Sequence, residues 1–405
     1  VATIEQTSGT VGSDGFREYV RGWLFENFPA ELKGQEHLLA AVDGSEEETP
    51  VQTRWREAMG SKGWGTPTWP SEYGGGGLTS EDAEVLREEM RRIGAWNPIG
   101  GMGVLMLGPT VLQYGSEAQK HQHIPGIVRG EVRWCQGYSE PSAGSDLASL
   151  QTFAEDRGDH YLVNGQKTWT SAGQWAHWCF ALVRTDRSQK HGGISFLLID
   201  MTTPGIETRP IRLISGISPF CETFFTDVVV PKVNLVGIEG QGWEIGTRLL
   251  QHERSSISGD SGPTVHLNAG DSVPEIAKRY LGVDADGRIV DSDLRSRIIR
   301  HEMDRAAFAL TLERIKLNAN VNAGPSAASS ITKNVGARIT LERAELNIEI
   351  MGLNGLGVAG PGFSKEELEQ TYHWLKGKAV SIYGGSTEVQ NNVIAKRILG
   401  MLDHQ

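Results

Sequence analysis

The spacing of apolar residues changes twice along this chain, and that double change constrains the fold more than any single motif. Up to about Val132 the pattern is helical. In "GFREYVRGWLFENF", Phe16, Val20, Trp23, Leu24 and Phe28 recur on one helix face. "SEDAEVLREEMRRIG" predicts a second helix, with Ser80 as N-cap, Glu81 and Asp82 in the first turn, Arg91 and Arg92 in the last and Gly94 beyond it. "SEAQKHQHIPGIVRGE" predicts a third, broken at its proline, and the Pro- and Gly-rich "TPTWPSEYGGGGL" predicts a loop. From about Arg133 to Gly242 the period falls to two. "HYLVNGQKTWTS" places Asn164-Gly165 between alternating runs, a hairpin signal, and "HWCFALVRT", "GISFLLIDM", "IETRPIRLI" and "ETFFTDVVVP" read as further strands. From Trp243 the long amphipathic segments "DSDLRSRIIRHEMDRAAFALTLERIKLNANV" and "SAASSITKNVGARITLERAELNIEIMG" restore the helical period. The expected fold is α+β: an N-terminal α-helical domain over 1–132, a middle antiparallel β-barrel or sandwich over 133–242 and a C-terminal helical bundle over 243–405.

Composition narrows the function class. A chain of 405 residues is long enough for two or three modules. Its net charge of −11 argues against non-specific nucleic-acid binding, and no basic stripe with interleaved aromatics is present. No apolar run approaches the length of a membrane span, and "VATIEQTSGTVGSDGF" lacks the basic and apolar regions of a signal peptide, so it reads as a disordered lead-in. Three cysteines, Cys135, Cys179 and Cys221, are odd in number and widely spaced. They read as buried thiols in a reducing compartment, with the cytoplasm as the expected location.

Several chemical signatures are missing. "GGMGVLM" begins like a dinucleotide fingerprint but lacks the third glycine and lies in a helical region. "SGDSG" has the wrong spacing for a serine nucleophile elbow, and "HERSSI" and "HEMDRA" lack the second histidine of a zinc helix. His121 and His123, an isolated pair on a polar segment, read as solvated side chains. Two stretches remain. "WCQGYSEPSAGSDLASL" is dense in small hydroxyl residues and glycine, which expose backbone N–H groups to a ligand's oxygens. "NGQKTWTSAG" sets Trp169 beside Thr170 and Ser171, a pattern that suits a planar heteroaromatic ring but that, taken alone, reads first as a hairpin with a packed tryptophan.

Taken together these segments resemble the acyl-CoA dehydrogenase superfamily over nearly the whole chain. The resemblance rests on "WPSEYGGGG", "YSEPSAGSD", "VNGQKTWTS", "DVVVPKVNLVG", "IMGLNGLG" and "IYGGSTEVQNNVIAKRILG", in that order. It implies FAD bound without a Rossmann fold. Ser139 would hydrogen-bond the flavin pyrimidine edge, Trp169 would cover one ring face, and Ser171 would replace the usual threonine whose hydroxyl faces N5. Ser145 would lie near the thioester or pantetheine end, with Ser386 and Glu388 near the cofactor. The implied reaction is α,β-dehydrogenation of an acyl-CoA. A carboxylate takes the α-proton, the β-hydrogen leaves as hydride to the flavin, and preorganised donors hold the thioester oxygen. The matching backbone donor here is Gly384, with Gly385 beside it in the substrate passage.

In the commonest members the residue after "IY" is the catalytic glutamate; here it is Gly384. Isovaleryl-CoA dehydrogenase and its relatives carry the base on the first helix after the β domain, before an arginine, and this chain has "QHERSSIS" there. Glu253 follows Ile245 and Leu249 on one stripe, where a carboxylate is either an ion-pair partner or functional, and the resemblance makes it the candidate base. Arg254, about 100° around the helix, is the candidate substrate contact. Two departures concern the cofactor. "LGVDADGRIVDSDLRSR" stands where many members carry an Arg-x-x-Phe-Gly motif, and Glu349 replaces a glutamine. The resemblance implies an acyl-CoA substrate, bulky or branched, and an electron-transfer flavoprotein as acceptor. The assembly would be a homodimer, a homotetramer or a two-plus-two heterotetramer with a related subunit. An oxidase or monooxygenase on the same fold, or a subunit completing a partner's FAD site, are the alternatives.

Overall fold

The structure, a computed structural model, describes residues 13–34, 48–257, 272–319 and 328–401; the expected lead-in before Ser13 lies outside them. The chain divides into two compact units. The first comprises Val1–Ile211 and Ser218–Leu249, and the second Arg212–Ile217 and Leu250–Gln405.

The first unit begins with helices α1 (Ser13–Asn27), α2 (Pro50–Ser61), α3 (Ser80–Ile93), α4 (Gly108–Tyr114) and α5 (Glu117–Val128). The apolar faces of α1, α2 and α3 meet in a core of Val20, Leu24, Trp55, Met59, Leu86 and Met90, closed by Trp64 and Trp96. The two buried indoles do not sacrifice their N–H groups: Trp55 donates to the Trp96 carbonyl at 2.9 Å and Trp96 to the Leu32 carbonyl at 3.1 Å. The cap of α3 lies one residue earlier than the sequence suggested. Thr79, not Ser80, accepts from the Asp82 N–H, while Gly94 ends the helix in the left-handed region as expected. Pro125 does not break α5, which runs through it to Val128 behind a Ser116–Gln119 capping box. One glycine is demanded by packing: a Cβ on Gly108 would lie 1.9 Å from the Trp69 ring.

The β region has strands β1 (Trp134–Gly137), β2 (Phe153–Asp156), β3 (His160–Ser171), β4 (Trp178–Arg184), β5 (Ile194–Asp200), β6 (Ile206–Ile211), β7 (Phe220–Pro231) and β8 (Leu235–Val236). They form one sheet in the order β6-β7-β3-β2-β4-β5-β8, with β1 added beside β4. Most pairs are antiparallel; β1–β4 and the single β2–β4 pairing are parallel. Asn164-Gly165 is not a hairpin. β3 is continuous through it, and the tight turn falls earlier, at 157–159, where the Arg157 N–H reaches the His160 carbonyl at 2.9 Å. Asn164-Gly165 is instead an irregularity in the β3–β7 ladder. The Asn164 amide bonds the backbone and carboxylate of Asp227 across it. Gly165 is required there, because a Cβ would lie 2.6 Å from the Thr152 Cα. The three cysteines are buried free thiols.

Helix α6 (Gly242–Ile257) follows the sheet. The second unit continues with α7 (Val273–Leu281), α8 (Ser292–Ala319), α9 (Ala328–Met351), α10 (Lys365–Gly377) and α11 (Thr387–Val393). Its core joins Val273, Ile276, Ile298, Leu346 and Ile350, with a second cluster of Phe308, Leu312 and Ile339. Among the described residues no helix is long and apolar enough to cross a membrane.

Candidate active site

In the first unit the two motif segments meet. Ser139, half-buried, leaves β1, and its carbonyl accepts the Thr168 N–H at 2.8 Å. Behind it, Glu140 and Ala143 exchange backbone hydrogen bonds around Pro141 and Ser142, and Ser145 is exposed on the loop that follows. On β3 the ladder with β7 shifts between Lys167 and Thr170, and Trp169 takes a φ of 59°. A left-handed tryptophan is strained, and such strain persists only where its surroundings fix it. The bulge turns the indole outward, 55% exposed, with Phe220 edge-on at 6.1 Å. Ser171 is half-buried two residues on. The loop-strand junction therefore offers one aromatic face and nearby hydroxyls.

Beneath this face lie two residues that the sequence reading missed. Lys167 is fully buried, donating to the Tyr138 carbonyl at 3.1 Å and to Glu140 at 2.8 Å. Glu140 also accepts the backbone N–H groups of Gln151 at 2.6 Å and Thr152 at 2.9 Å. Burial pushes the Glu140 carboxyl up, but Lys167 and the hydrogen bonds outweigh it and hold the acid below its ordinary range. A lysine two strand repeats on from the inward-facing Tyr161 and Val163 was the available signal.

His123, expected to be solvated, is buried. Its ring packs edge-on against Trp134 at 5.2 Å and Trp178 at 4.8 Å, and desolvation lowers its pKa to about 4. His121 is exposed. Among the described residues no His, Cys, Asp and Glu group could hold a metal ion.

In the second unit the "YGGSTE" segment is a turn that starts a helix. Gly384 and Gly385 have φ of 66° and 91°, conformations that favour glycine. Ser386 caps α11 by accepting the Val389 N–H at 3.3 Å, and Glu388 is exposed in its first turn. Glu388's own N–H and the Ser386 hydroxyl keep its carboxyl below the usual value, with Lys333 adding to them. The Gly384 carbonyl accepts from Gln390 at 2.9 Å, and among the described residues its N–H has no bonded acceptor. Glu349 is engaged through both oxygens by Arg297, at 2.7 and 2.6 Å. The segment that replaces the arginine motif forms a tight turn, where Asp284 accepts from the N–H groups of Asp286 and Arg288. Glu253 and Arg254 lie on the backbone of α6, and their side chains are outside the described residues.

Comparison with known proteins gives these features their context. Residues 30–131 match the N-terminal domain of acyl-CoA dehydrogenases, 135–228 the middle domain and 240–399 the C-terminal domain. The chain is 34% identical over 392 residues to the acyl-CoA dehydrogenase IpdE1 of Mycobacterium tuberculosis, covering 95% of this chain and 97% of that one. It is 34% identical over 379 residues to FadE26 of the same organism, covering 90% and 91%. Among solved structures it is similar to the ChsE4-ChsE5 complex of M. tuberculosis, with a TM-score of 0.73, 30% identity and coverage of 98% and 100%. It is also similar to the Tcur3481-Tcur3483 steroid ACAD, with a TM-score of 0.74, 27% identity and coverage of 98% and 100%. The chain belongs to the acyl-CoA dehydrogenase family, a family of flavoproteins, and is an oxidoreductase acting on acyl-CoA thioesters.

Proposed function

We propose that this enzyme binds FAD and dehydrogenates a bulky or branched acyl-CoA to the trans-2-enoyl-CoA, with Glu253 as the base. The observation that carries the cofactor reading is the strained, outward-facing Trp169 beside the half-buried Ser139 and Ser171. An exposed indole held in a costly conformation fits one face of a planar ring, and small hydroxyl residues fit its polar edge. FAD would supply the acceptor for the β-hydrogen. Ser139 and Ser171 would bond the ring's edge, Trp169 would cover it, and Ser145 would serve the pantetheine or thioester end. Ser386 and Glu388 would lie toward the rest of the cofactor.

The chemistry required of the protein is proton removal from a weakly acidic carbon. The half-buried Gly384 has an N–H with no bonded acceptor among the described residues, a donor available to the thioester oxygen. Gly385 beside it leaves the passage free of side chain. Neither glycine can take a proton, so the base lies elsewhere, and Glu253 on α6 is assigned that role, with Arg254 contacting substrate. Without a glutamate side chain at position 384 there is more room for a branched or polycyclic acyl group. That accords with the steroid ACAD among the similar structures.

The physiological acceptor on this reading is an electron-transfer flavoprotein, and the assembly is a homo-oligomer or a heterotetramer with a related subunit. The second unit supports an assembly: on α8, Ile299, Met303 and Leu310 are exposed at 54%, 66% and 66% on the face opposite the buried Phe308 and Leu312. The ChsE4-ChsE5 structure is itself a complex.

Purified protein with an artificial electron acceptor and a panel of acyl-CoA thioesters tests the function. Expected is a yellow preparation that turns over bulky thioesters faster than straight medium-chain ones. A flavin-free preparation that remains inactive even after reconstitution with FAD and a co-expressed partner contradicts it.

A further inference from the structure

A fully buried lysine in a β core is unfavourable unless its charge is met, and an ion pair there is rarely the most stabilising choice. Lys167 is such a residue, on the strand whose Tyr161 and Val163 enter the apolar core. Its position explains what the pair does. Lys167 is the last regular partner in the β3–β7 ladder, opposite Thr223, and pairing resumes only at Thr170 opposite Cys221. Between them stand Thr168, whose N–H leaves the ladder for the Ser139 carbonyl at 2.8 Å, and Trp169 with its φ of 59°. The same ammonium bonds the carbonyl of Tyr138, the residue just before Ser139, at 3.1 Å. Its other partner, Glu140, is the residue just after Ser139, and Glu140 is anchored in turn by the Gln151 and Thr152 N–H groups. One buried charge pair therefore grips both sides of Ser139 and the root of the Trp169 bulge.

We propose that Lys167 and Glu140 are positioning residues that hold Ser139 and Trp169 in register to receive the flavin. This rests on the FAD reading above. An apolar pair of the same volume would fill the space without fixing either segment, because only hydrogen bonds to Tyr138 and to the 151–152 backbone are directional. The bulge would then be free to relax toward regular pairing, returning Thr168 to the ladder and Trp169 to an ordinary conformation.

The test compares the parent with Glu140→Gln, Lys167→Met and the double variant, which removes both charges together and leaves no unpaired ion. Hydrogen exchange at the Thr168 amide in the flavin-free protein reports the clamp, and FAD affinity with the bound flavin's visible spectrum reports its consequence. The expected result for the double variant is near-parental thermal stability. Its Thr168 amide exchanges at least tenfold faster, FAD binds at least tenfold more weakly, and the flavin absorption bands are altered. Glu140→Asp, which keeps the charge but shortens its reach, is expected to be intermediate in both readouts. A double variant with Thr168 exchange and FAD affinity within twofold of the parent overturns the proposal. If the double variant does not fold, parental behaviour in Glu140→Asp does the same. A parent protein that binds no FAD refutes the cofactor reading, and the proposal that depends on it, while the exchange data still show whether the pair holds the bulge.

Discussion

Gln390 donates its side-chain amide to the carbonyl of Gly384 at 2.9 Å across the turn that opens α11. Gln390 is almost fully buried, and a Cβ on Gly385 would lie 2.4 Å from its Nε2. The turn is thus shaped by one glutamine filling the space that the second glycine leaves. Gln390→Leu keeps the volume and removes the bond that holds the Gly384–Gly385 peptide, so the turn presenting the preceding Gly384 N–H loosens. We expect kcat/KM with acyl-CoA to fall about tenfold, the order of effect that misplacing one donor produces. Steady-state kinetics checks this, and an unchanged value would show that the Gln390 bond does not position the Gly384 N–H.

The base assignment predicts a sharper loss. Glu253→Gln is expected to keep flavin and fold while turnover drops by roughly 10²–10⁴, the usual contribution of a positioned general base. Parental turnover in that variant would sink the assignment. Gly384→Glu would fill the passage with a carboxylate, so we expect bulky thioesters to lose more rate than short straight ones. A substrate panel on the two proteins reads the ranking.

His123 makes the fold sensitive to mild acid. Its folded pKa of about 4 lies below the ordinary histidine value of 6.5, so the neutral ring is favoured in the native state. Its stabilisation is complete above about pH 6.5 and is lost as the pH falls toward 4. One proton corresponds to about 1.4 kcal/mol per pH unit, or roughly 3 kcal/mol across the window. His123→Phe preserves the packing against Trp134 and Trp178 and is expected to flatten the pH dependence of the denaturation midpoint between 6.5 and 4.5. Equal slopes in the two proteins would contradict the burial argument.

A second acid step is expected from Glu89. Its nearly buried carboxylate accepts from Arg21 at 2.8 Å, Arg92 at 2.8 Å and Arg17 at 2.9 Å. Arg21 first, then Arg92 and Arg17, hold its pKa at about 2 against burial, from 4.5. This contribution is present above about pH 4.5 and disappears as the pH falls toward 2, below the His123 window. Glu89→Gln keeps the shape and loses the charge. We expect a loss of about 1–3 kcal/mol at neutral pH, measured by chemical denaturation, and a smaller further loss than the parent's when both are acidified from pH 4.5 to 3.

Periodicity made the three-part fold legible, because helical and strand patterns depend on local spacing that survives any tertiary arrangement. The caps were legible to within a residue: Thr79 and Ser80 are both good caps, and which one serves depends on where the chain enters the helix. Asn164-Gly165 misled for a physical reason. The pair favours positive φ, and a bulge inside a long strand uses the same conformational freedom as a hairpin. His123 misled because the residues just before it in sequence are polar while its neighbours in space are two indoles.

The sequence by itself determined the order of helical and β regions, the turn glycines 384 and 385, and the placement of a glutamate on the helix after the sheet. Those are matters of residue type and local spacing. Only the tertiary structure decided that Lys167 grips the backbone on one side of Ser139 while its partner Glu140 lies on the other, that Trp169 is forced outward at a bulge, and that Glu349 is held by Arg297. Each joins residues distant in sequence, and what fixes them is the cost of leaving a buried charge or a directional donor unmet.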